Sequence, residues 1–359
     1  MGTLEESVTL AARLTTQIRS RGPIPLSDFM AACLFDPEHG FYRRQSAIGR
    51  DGAFTTAPEI SQMFGEIIGA WLVKVWQDQG RPSPIALVEL GPGHGTMMSD
   101  ILRTVSHCPE FCRACCLFLV ETSTEMRAVQ QKKLSTVDPV WIEDIGELPD
   151  LPLFLVANEF FDALPIRQFR RTGIGWNEIR VGIDRTGLVL CETPCGRDIE
   201  PRGRDADTIP GDIVEIRPAS LTIAAEISKT IREFGGTALI IDYGAHRSLG
   251  QTLQAVKDHR FTNPLAEPGE ADISAHVDFG AIRHAAQGVS CSVLLNQGVW
   301  LELLGITERA RILARNLSGE SLRQHQAAHR RLTHPDEMGS LFKVMSLYPS
   351  EMSPPPGFS

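Results

Sequence analysis

A glycine-rich turn is the strongest candidate for chemistry in this chain. It follows the apolar residues 85–88, precedes a segment that can form a helix, and has its G-x-G-x-G glycines at Gly91, Gly93 and Gly95. A strand, a glycine turn and a helix are typical of a nucleotide-binding crevice. Thr96 stands where a dinucleotide fingerprint needs its third glycine, and the Glu89 carboxylate would repel a pyrophosphate but could accept a hydrogen bond from an amino group. The turn therefore favours S-adenosylmethionine over NAD.

Acidic residues end the next two predicted strands. Glu121 ends the second strand, where a carboxylate can accept hydrogen bonds from both hydroxyls of a ribose. Asp144 ends the third strand and is placed to meet an adenine amino group, with Ile145 against the ring. A solvated strand end or a helix cap is the alternative interpretation of each acid.

A polar cluster follows the fourth predicted strand, where a substrate would lie. It contains Asn158, Glu159 and Asp162, and the two acids share a face if the segment is helical. Methyl transfer from a sulfonium is an in-line displacement, in which the protein aligns the nucleophile and accepts a proton. A guanidinium nucleophile needs carboxylates to hold its planar fork. The alternative is a capping and turn motif. His276 is a further catalytic candidate for the same crevice, against a structural role.

Composition limits the class of protein. The 359 residues are 42% hydrophobic and 22% charged, with a net charge of −9, so a general nucleic-acid binder is not expected. No apolar segment approaches the length of a transmembrane helix. The first residues carry acids and no apolar signal core. These features predict a bacterial cytoplasmic protein, or a mature mitochondrial-matrix protein whose presequence has been removed.

One cysteine cluster has the spacing of an iron–sulfur site. Cys108, Cys112 and Cys115 give C-x3-C-x2-C, as in radical S-adenosylmethionine enzymes. Ala114 stands where an aromatic residue is usual, and the apolar strand from Cys116 to Val120 follows at once. Incidental or buried thiols are the preferred interpretation, and no metal site is predicted.

The elements that must position these residues alternate between strand and helix. Strands are predicted at residues 85–90, 116–121, 140–143, 153–158 and 238–242. Helices are predicted at residues 98–105, 124–133 and 221–234, and in the N-terminal region at 3–20, 28–34 and 58–79. This order predicts an α/β fold with a doubly wound, Rossmann-like sheet.

The same pattern divides the chain into regions. Residues 1–84 form an N-terminal helical region, and residues 85–348 form the core. An insertion at about 167–218 contains a β-hairpin that turns at residues 184–187. The proline-rich residues 349–359 are expected to form a disordered tail.

Motifs spread along the chain resemble the MidA-like family of class I S-adenosylmethionine methyltransferases, which includes the mitochondrial complex I assembly arginine methyltransferase. They lie at residues 51–66, 89–96, 158–165, 241–244, 268–279, 297–298 and 304–306. The resemblance implies a seven-stranded methyltransferase sheet with the N-terminal region as a lid. It also implies cofactor-binding roles for Thr55, Pro58, Glu59 and Gln62.

The resulting hypothesis is an S-adenosylmethionine-dependent methyltransferase that acts on a protein side chain, with arginine as the first choice. The resemblance implies a respiratory complex I subunit as the protein partner, and a homodimer is kept open. Three alternatives remain: a non-catalytic cofactor-binding assembly factor, an NAD-dependent oxidoreductase and a radical enzyme.

Overall fold

The computed structural model describes residues 9–43, 56–196 and 200–358. Its helices are α1 Leu10–Arg21, α2 Leu26–Phe35, α3 Ala57–Ile60, α4 Gln62–Asp78, α5 Thr96–Val105, α6 Pro109–Ala114, α7 Thr124–Lys133, α8 Pro218–Phe234, α9 Phe279–Ala285, α10 Gln297–Leu303, α11 Ile306–Ala314, α12 Gly319–Thr333 and α13 Met338–Leu341. Short 3-10 helices lie at Phe41–Arg43 and Ile145–Glu147.

The strands are β1 Ile24–Pro25, β2 Ile85–Leu90, β3 Cys115–Val120, β4 Val140–Ile142, β5 Leu153–Asn158, β6 Arg167–Arg171, β7 Trp176–Ile183, β8 Leu188–Pro194, β9 Ile213–Ile216, β10 Gly236–Ala245, β11 Gln254–Lys257, β12 Arg260–Thr262, β13 Asp272–Ser274, β14 Val277–Asp278, β15 Ser290–Cys291, β16 Leu295–Asn296 and β17 Phe342–Tyr348. The predicted bounds of β2, β5 and α7 are confirmed.

A large mixed sheet runs in the order β15-β17-β10-β5-β2-β3-β4. The strands from β10 to β4 pair in parallel, and β17 pairs antiparallel with β10. Within the described residues the sheet has nine strands, more than the expected seven, because the short strands β14 and β16 add to β10 and β17. The predicted mixed α/β architecture with a mostly parallel sheet is confirmed.

Alternate residues of the central strands enter two separate cores, so both faces of the sheet are covered. Leu87 and Phe154 belong to the core that contains α4 and α5, whereas Val88 and Leu155 belong to the core that contains α8 and α9. Every residue of β2 and β5 is buried. This explains why these strands are almost entirely apolar, with Glu89 and Asn158 as their polar residues, and do not alternate between polar and apolar residues.

The N-terminal helices are divided between two cores. Helices α1 and α2 pack with β1 and β7 in a third apolar cluster, and α4 packs on the large sheet. The inserted segment forms an antiparallel sheet in the order β1-β7-β6-β9, with β8 beside β7. Its hairpin turn closes through the Asp184 amide, which donates to the Gly187 carbonyl at 2.9 Å, as the turn residues predict.

Two expectations are corrected. The helix predicted over residues 58–79 is interrupted at Ser61, which is extended and whose hydroxyl accepts a hydrogen bond from the Met63 amide at 3.2 Å to cap α4. The tail predicted to be disordered packs on the core. Phe358 is 5% exposed beside Trp300, and the Trp71 indole donates to the Pro356 carbonyl at 3.0 Å.

Candidate active site

A cavity of about 430 Å³ opens where β2, β3 and β5 end. It is the expected crevice at the carboxyl ends of parallel strands. The sequence-predicted residues that line it are Pro58, Glu59, Glu89, Gly91, Gly93, Glu121, Asn158 and Glu159.

The glycine turn has the backbone conformation that glycine alone adopts easily. Gly91, Gly93 and Gly95 have φ angles of 59°, 51° and 75°. A Cβ on Gly91 would lie 3.0 Å from the Phe160 ring, at the cavity wall. Gly95 precedes α5 and lies outside the cavity lining, where an added Cβ would lie 3.6 Å from the Gln130 side chain. Gly91 and Gly93 therefore line the cavity, whereas Gly95 shapes the turn.

The Glu89 carboxyl group is a buried acceptor beside the turn. It is 2% exposed, and its Oε2 atom has no hydrogen-bond partner among the described residues. Burial raises the pKa of Glu89 to about 8, against the opposing effect of the Met98 amide. An unpartnered carboxyl oxygen costs free energy unless a ligand donates to it. Glu89 therefore fits an amino group of a bound molecule.

Glu121 lies at the same end of the sheet, directly after β3. It accepts hydrogen bonds from the Ser123 amide at 2.8 Å and from the Gln130 amide group at 3.1 Å. Burial raises the pKa of Glu121, and the Ser123 amide opposes this effect. Gln130 also donates to the Gly93 carbonyl at 2.7 Å, so one side chain ties Glu121 to the glycine turn.

Asp144 and Ile145 lie outside the cavity lining. The Asp144 carboxylate accepts from the Gly146 amide at 2.8 Å and caps the short helix that follows, while Ile145 is buried in the core. The neighbouring Glu143 lines the cavity instead. The adenine role of Asp144 and Ile145 stays a prediction.

Helix α3 closes one side of the cavity. The Glu59 carboxylate accepts a 2.6 Å hydrogen bond from the Thr96 hydroxyl, and its Oε1 atom lies 3.6 Å from His94 Nδ1. His94 and the Thr96 hydroxyl lower the pKa of Glu59. Gln62 is exposed and outside the lining. Thr55 lies outside the described residues.

The other end of the cavity contains Asn158 and Glu159. Glu159 has a φ of 50°, and its carboxylate accepts from the Ala57 amide at 2.9 Å and from the Asn158 side chain at 3.2 Å. Burial raises the pKa of Glu159 to about 8, and the Asp162 carboxylate adds to this effect. Asn158 Oδ1 is buried and has no hydrogen-bond partner among the described residues. A strained backbone at an unpartnered polar group is typical of a functional site.

Asp162 lies behind the cavity and not in its lining. It is 7% exposed, and burial raises its pKa. The Asp242 carboxylate accepts from the amides of Phe161 at 3.0 Å and Asp162 at 3.2 Å, which fixes the turn after β5. Asp162 therefore does not line the cavity, although its carboxyl group adds to the raised pKa of Glu159.

His276 does not reach the cavity. Its ring packs against Tyr243 at 5.4 Å between centroids, and its backbone amide donates to the Thr252 hydroxyl at 2.8 Å. Burial lowers the pKa of His276, which favours a neutral, packed imidazole. The catalytic assignment of His276 is not supported by this position.

Sequence patterns missed several residues at this site. Phe35 and Tyr42 line the cavity from the segment around α2, and the Tyr42 hydroxyl donates to Asp272 at 2.7 Å. The buried Arg217 guanidinium donates to the Leu164 carbonyl at 2.9 Å and to the Ala275 carbonyl at 2.8 Å. Only long-range packing brings these residues to the site, so no local spacing could have revealed them.

The three cysteines Cys108, Cys112 and Cys115 do not have the features expected of iron–sulfur ligands. Among residues 9–43, 56–196 and 200–358, no group of three His, Cys, Asp or Glu side chains is arranged to hold a metal ion. The Cys112 thiol donates to the Val105 carbonyl at 3.2 Å, and burial raises the pKa of Cys115 to about 12. Metal ligation needs thiolates, so these thiols favour the incidental interpretation. In the same described residues, no helix has the length and apolar character needed to cross a membrane.

The family described as "Putative S-adenosyl-L-methionine-dependent methyltransferase" matches residues 67–295. A relative in Xenopus laevis, "Protein arginine methyltransferase NDUFAF7, mitochondrial", is 33% identical and covers 98% of this chain and 89% of its own. The Homo sapiens protein of the same name is 33% identical over 97% of this chain and 85% of its own. Both names describe mitochondrial proteins, and neither supports the expectation that this chain is a bacterial cytoplasmic protein.

Solved structures agree with the sequence relatives. The chain is similar to a COG1565 superfamily member and likely methyl transferase from Burkholderia thailandensis bound to S-adenosyl-homocysteine, with a TM-score of 0.83 and 27% identity. The alignment covers 98% of this chain and 94% of that one. With its glycine turn and its buried acceptor in place, the chain belongs to this family of S-adenosyl-L-methionine-dependent methyltransferases.

Proposed function

We propose that the protein transfers a methyl group from S-adenosylmethionine to a guanidinium nitrogen of an arginine side chain in a protein substrate. The observation that carries this proposal is the position of Glu159. This carboxyl group lines the same cavity as the glycine turn and lies near a second carboxyl group, Asp162. A carboxylate in the cavity can hold one edge of a guanidinium fork, and Asp162 adds to the raised pKa of Glu159 without lining the cavity.

The cofactor end of the cavity suits S-adenosylmethionine. Glu89 would accept from the amino group of its methionine part, Gly91 and Gly93 would allow close approach of the backbone, and Glu121 would hold the ribose hydroxyls. Glu143, with Asp144 and Ile145 beside it, would lie at the adenine. When bound, the cofactor supplies a methyl group attached to a sulfonium sulfur. The sulfonium is the activated leaving group, and the methyl group is what is transferred. In this proposal Pro58 and Glu59 on α3 form the outer wall of the cofactor site. The cofactor-binding roles of Gln62 and Thr55 rest on the family resemblance alone.

The substrate end suits a cation that must lose a proton. A guanidinium has a pKa above about 12, so its nitrogen becomes nucleophilic only when carboxylates localise the charge and take the proton. Glu159 would accept that proton, with Asn158 Oδ1 accepting a hydrogen bond from a second nitrogen. Asp162 raises the proton affinity of Glu159 from behind. In this proposal Glu159 contacts the substrate directly, whereas Asp162 acts only by raising the proton affinity of Glu159.

The relatives suggest a finer substrate and setting. Their name, protein arginine methyltransferase NDUFAF7, supports a protein arginine target, and we extend this to a respiratory complex I subunit as the substrate. The same names favour the mitochondrial matrix over the bacterial cytoplasm.

We further propose a homodimer and a seven-stranded methyltransferase sheet within the large sheet. We also propose three regions: a lid at residues 1–84, a core at 85–348 with its insertion at about 167–218, and a terminal segment at 349–359.

The test is mass spectrometry of methylated arginine in cells that lack this protein, compared with the parent cells. The proposal expects at least one methylarginine peptide to disappear and to return with the wild-type chain but not with Glu159→Gln. Full return with Glu159→Gln would indicate a non-catalytic assembly factor instead. An unchanged set of methylarginine peptides would reject the arginine assignment.

A further inference from the structure

Tyr42 connects the wall of the cavity to a buried acid. Its side chain lines the cavity that contains Glu159, and its hydroxyl donates a 2.7 Å hydrogen bond to Asp272 Oδ1. Asp272 is 7% exposed in β13, a strand of a separate small sheet. The bond therefore joins the segment after α2 to an acid 230 positions away, and it fixes the phenol at the cavity edge.

Aromatic packing restricts the ring of Tyr42 further. The Phe35 ring lies 5.8 Å away and tilted, and the Phe41 ring lies 5.3 Å away and edge-on. A phenol held by two rings and one carboxylate has few alternative rotamers. The hydroxyl proton is committed to Asp272, so the oxygen can only accept hydrogen bonds from other groups.

The charged groups around this phenol are acidic. Among the described residues, Asp272 and Asp162 are the carboxyl groups that act on it, and Tyr243 is the other titratable neighbour. Burial, Asp272 and Asp162 raise the pKa of Tyr42 well above its usual value. The phenol therefore stays protonated, and its surroundings favour a cationic donor in the cavity.

We propose that Tyr42 is a specificity-determining residue whose phenol oxygen accepts a hydrogen bond from the substrate guanidinium, and that Asp272 is the positioning residue that holds this phenol. Glu159 takes one edge of the planar fork and Tyr42 takes another. A lysine ammonium presents its three donors from a single nitrogen, whereas a guanidinium presents donors along separate edges of a plane, so two acceptors at different edges favour arginine. This inference rests on the proposed arginine substrate.

The kinetic test uses extract from cells that lack this protein as methyl acceptor, with methyl-labelled S-adenosylmethionine. Tyr42→Phe keeps the ring and removes the acceptor, so the apparent KM for acceptor protein should rise about 10- to 100-fold with kcat within about twofold. Asp272→Ala should act in the same way, and Asp272→Asn should restore part of the loss because an amide oxygen still accepts from the phenol. The double variant Tyr42→Phe/Asp272→Ala should have an apparent KM no higher than that of Tyr42→Phe alone. The buried Tyr348, at the far end of β17, provides the matched control Tyr348→Phe, which should leave KM unchanged.

A second readout does not depend on activity. The chain has three tyrosines, so ring-labelled tyrosine gives three NMR signals, which Tyr42→Phe and Tyr348→Phe assign. Loss of Asp272 removes a negative neighbour, so the Tyr42 signal should titrate at lower pH in Asp272→Ala or Asp272→Asn than in the wild type. If the Tyr42 signal titrates at the same pH in the wild type and in the Asp272 variants, the pairing of Tyr42 with Asp272 is overturned.

The two proposals fail in different ways. A wild-type protein that labels no arginine rejects the arginine proposal, and with it the acceptor role of Tyr42. A wild-type protein that labels arginine while Tyr42→Phe keeps the same KM overturns the Tyr42 inference alone.

Discussion

The Glu159 carboxylate accepts a 2.9 Å hydrogen bond from the backbone amide of Ala57, which joins the end of β5 to the start of α3. Two residues further along the same helix, Glu59 accepts from the Thr96 hydroxyl at 2.6 Å. Helix α3 therefore contacts both Glu159, directly after β5, and the first residue of α5, directly after the glycine turn.

Glu159→Gln is expected to lower the rate of methyl transfer by about 100-fold or more, since an amide cannot accept the guanidinium proton. Cofactor affinity should stay within about twofold, because Glu159 faces the substrate. Initial rates and calorimetric titration with S-adenosylhomocysteine measure the two effects. Glu110→Gln, at an exposed surface ion pair with Arg81, is the matched control and should change neither quantity.

The rate should also depend on pH in a set direction. The pKa of Glu159 is raised to about 8, so the carboxyl group is neutral below that pH and becomes a base above it. In the wild type kcat/KM should therefore rise as pH increases towards about 8 and level off above it. A profile that falls over this interval would contradict the proton-acceptor role.

Three glycine substitutions separate cavity filling from backbone strain. Gly91→Ala places a Cβ 3.0 Å from the Phe160 ring in the cavity, Gly95→Ala meets Gln130 at 3.6 Å, and Gly80→Ala meets nothing within 4 Å. All three have positive φ, so each should lose about 1–2 kcal/mol of stability. Only Gly91→Ala should also weaken cofactor binding by tenfold or more. Equal cofactor affinities for the Gly91 and Gly80 variants would show that the turn does not face the cofactor.

Glu89→Gln should change the pH dependence of stability. The folded-state pKa of Glu89 is raised from 4.5 to about 8, so the folded protein keeps a proton that the unfolded chain releases above about pH 4.5. The wild-type free energy of unfolding should therefore fall as pH rises from about 4.5 to about 8, and the variant should lack that part of the slope. Urea denaturation at several pH values measures it. Parallel slopes in both proteins would mean that Glu89 is ionised in the fold.

Phe358→Ala tests the ordered C-terminal segment. The Phe358 ring lies 6.0 Å from Trp300 and is 5% exposed, so its loss should cost about 3 kcal/mol of stability. A change below about 0.5 kcal/mol, typical of a surface site, would mean that the segment is loose in solution.

The sheet could be predicted because its strands obey local rules. Apart from Glu89 and Asn158 near their ends, strands β2 and β5 are apolar and end at a glycine turn or a polar cluster, so burial and bounds follow from the pattern alone. Glu89, Gly91, Glu121 and Glu159 could be assigned to one crevice because parallel strands bring their carboxyl ends together.

The remainder depends on contacts between distant segments. Tyr42 reaches Asp272, and Pro356 accepts from Trp71, although neither pair shares a motif. His276 carries the residue type expected of a catalyst, but the packing of its ring on Tyr243 keeps it from the cavity. Asp144 was predicted from its place after a strand, where a cap and a ligand contact have the same sequence pattern.

The central claim is that Glu159 supports methylation of arginine, and one assay tests it directly. Purified protein is incubated with methyl-labelled S-adenosylmethionine and extract from cells that lack it, and the hydrolysed product is separated into methylated amino acids. We expect label in methylarginine with the wild-type chain and loss of nearly all of it with Glu159→Gln. Label in methyllysine alone, or equal methylarginine from both proteins, would contradict it.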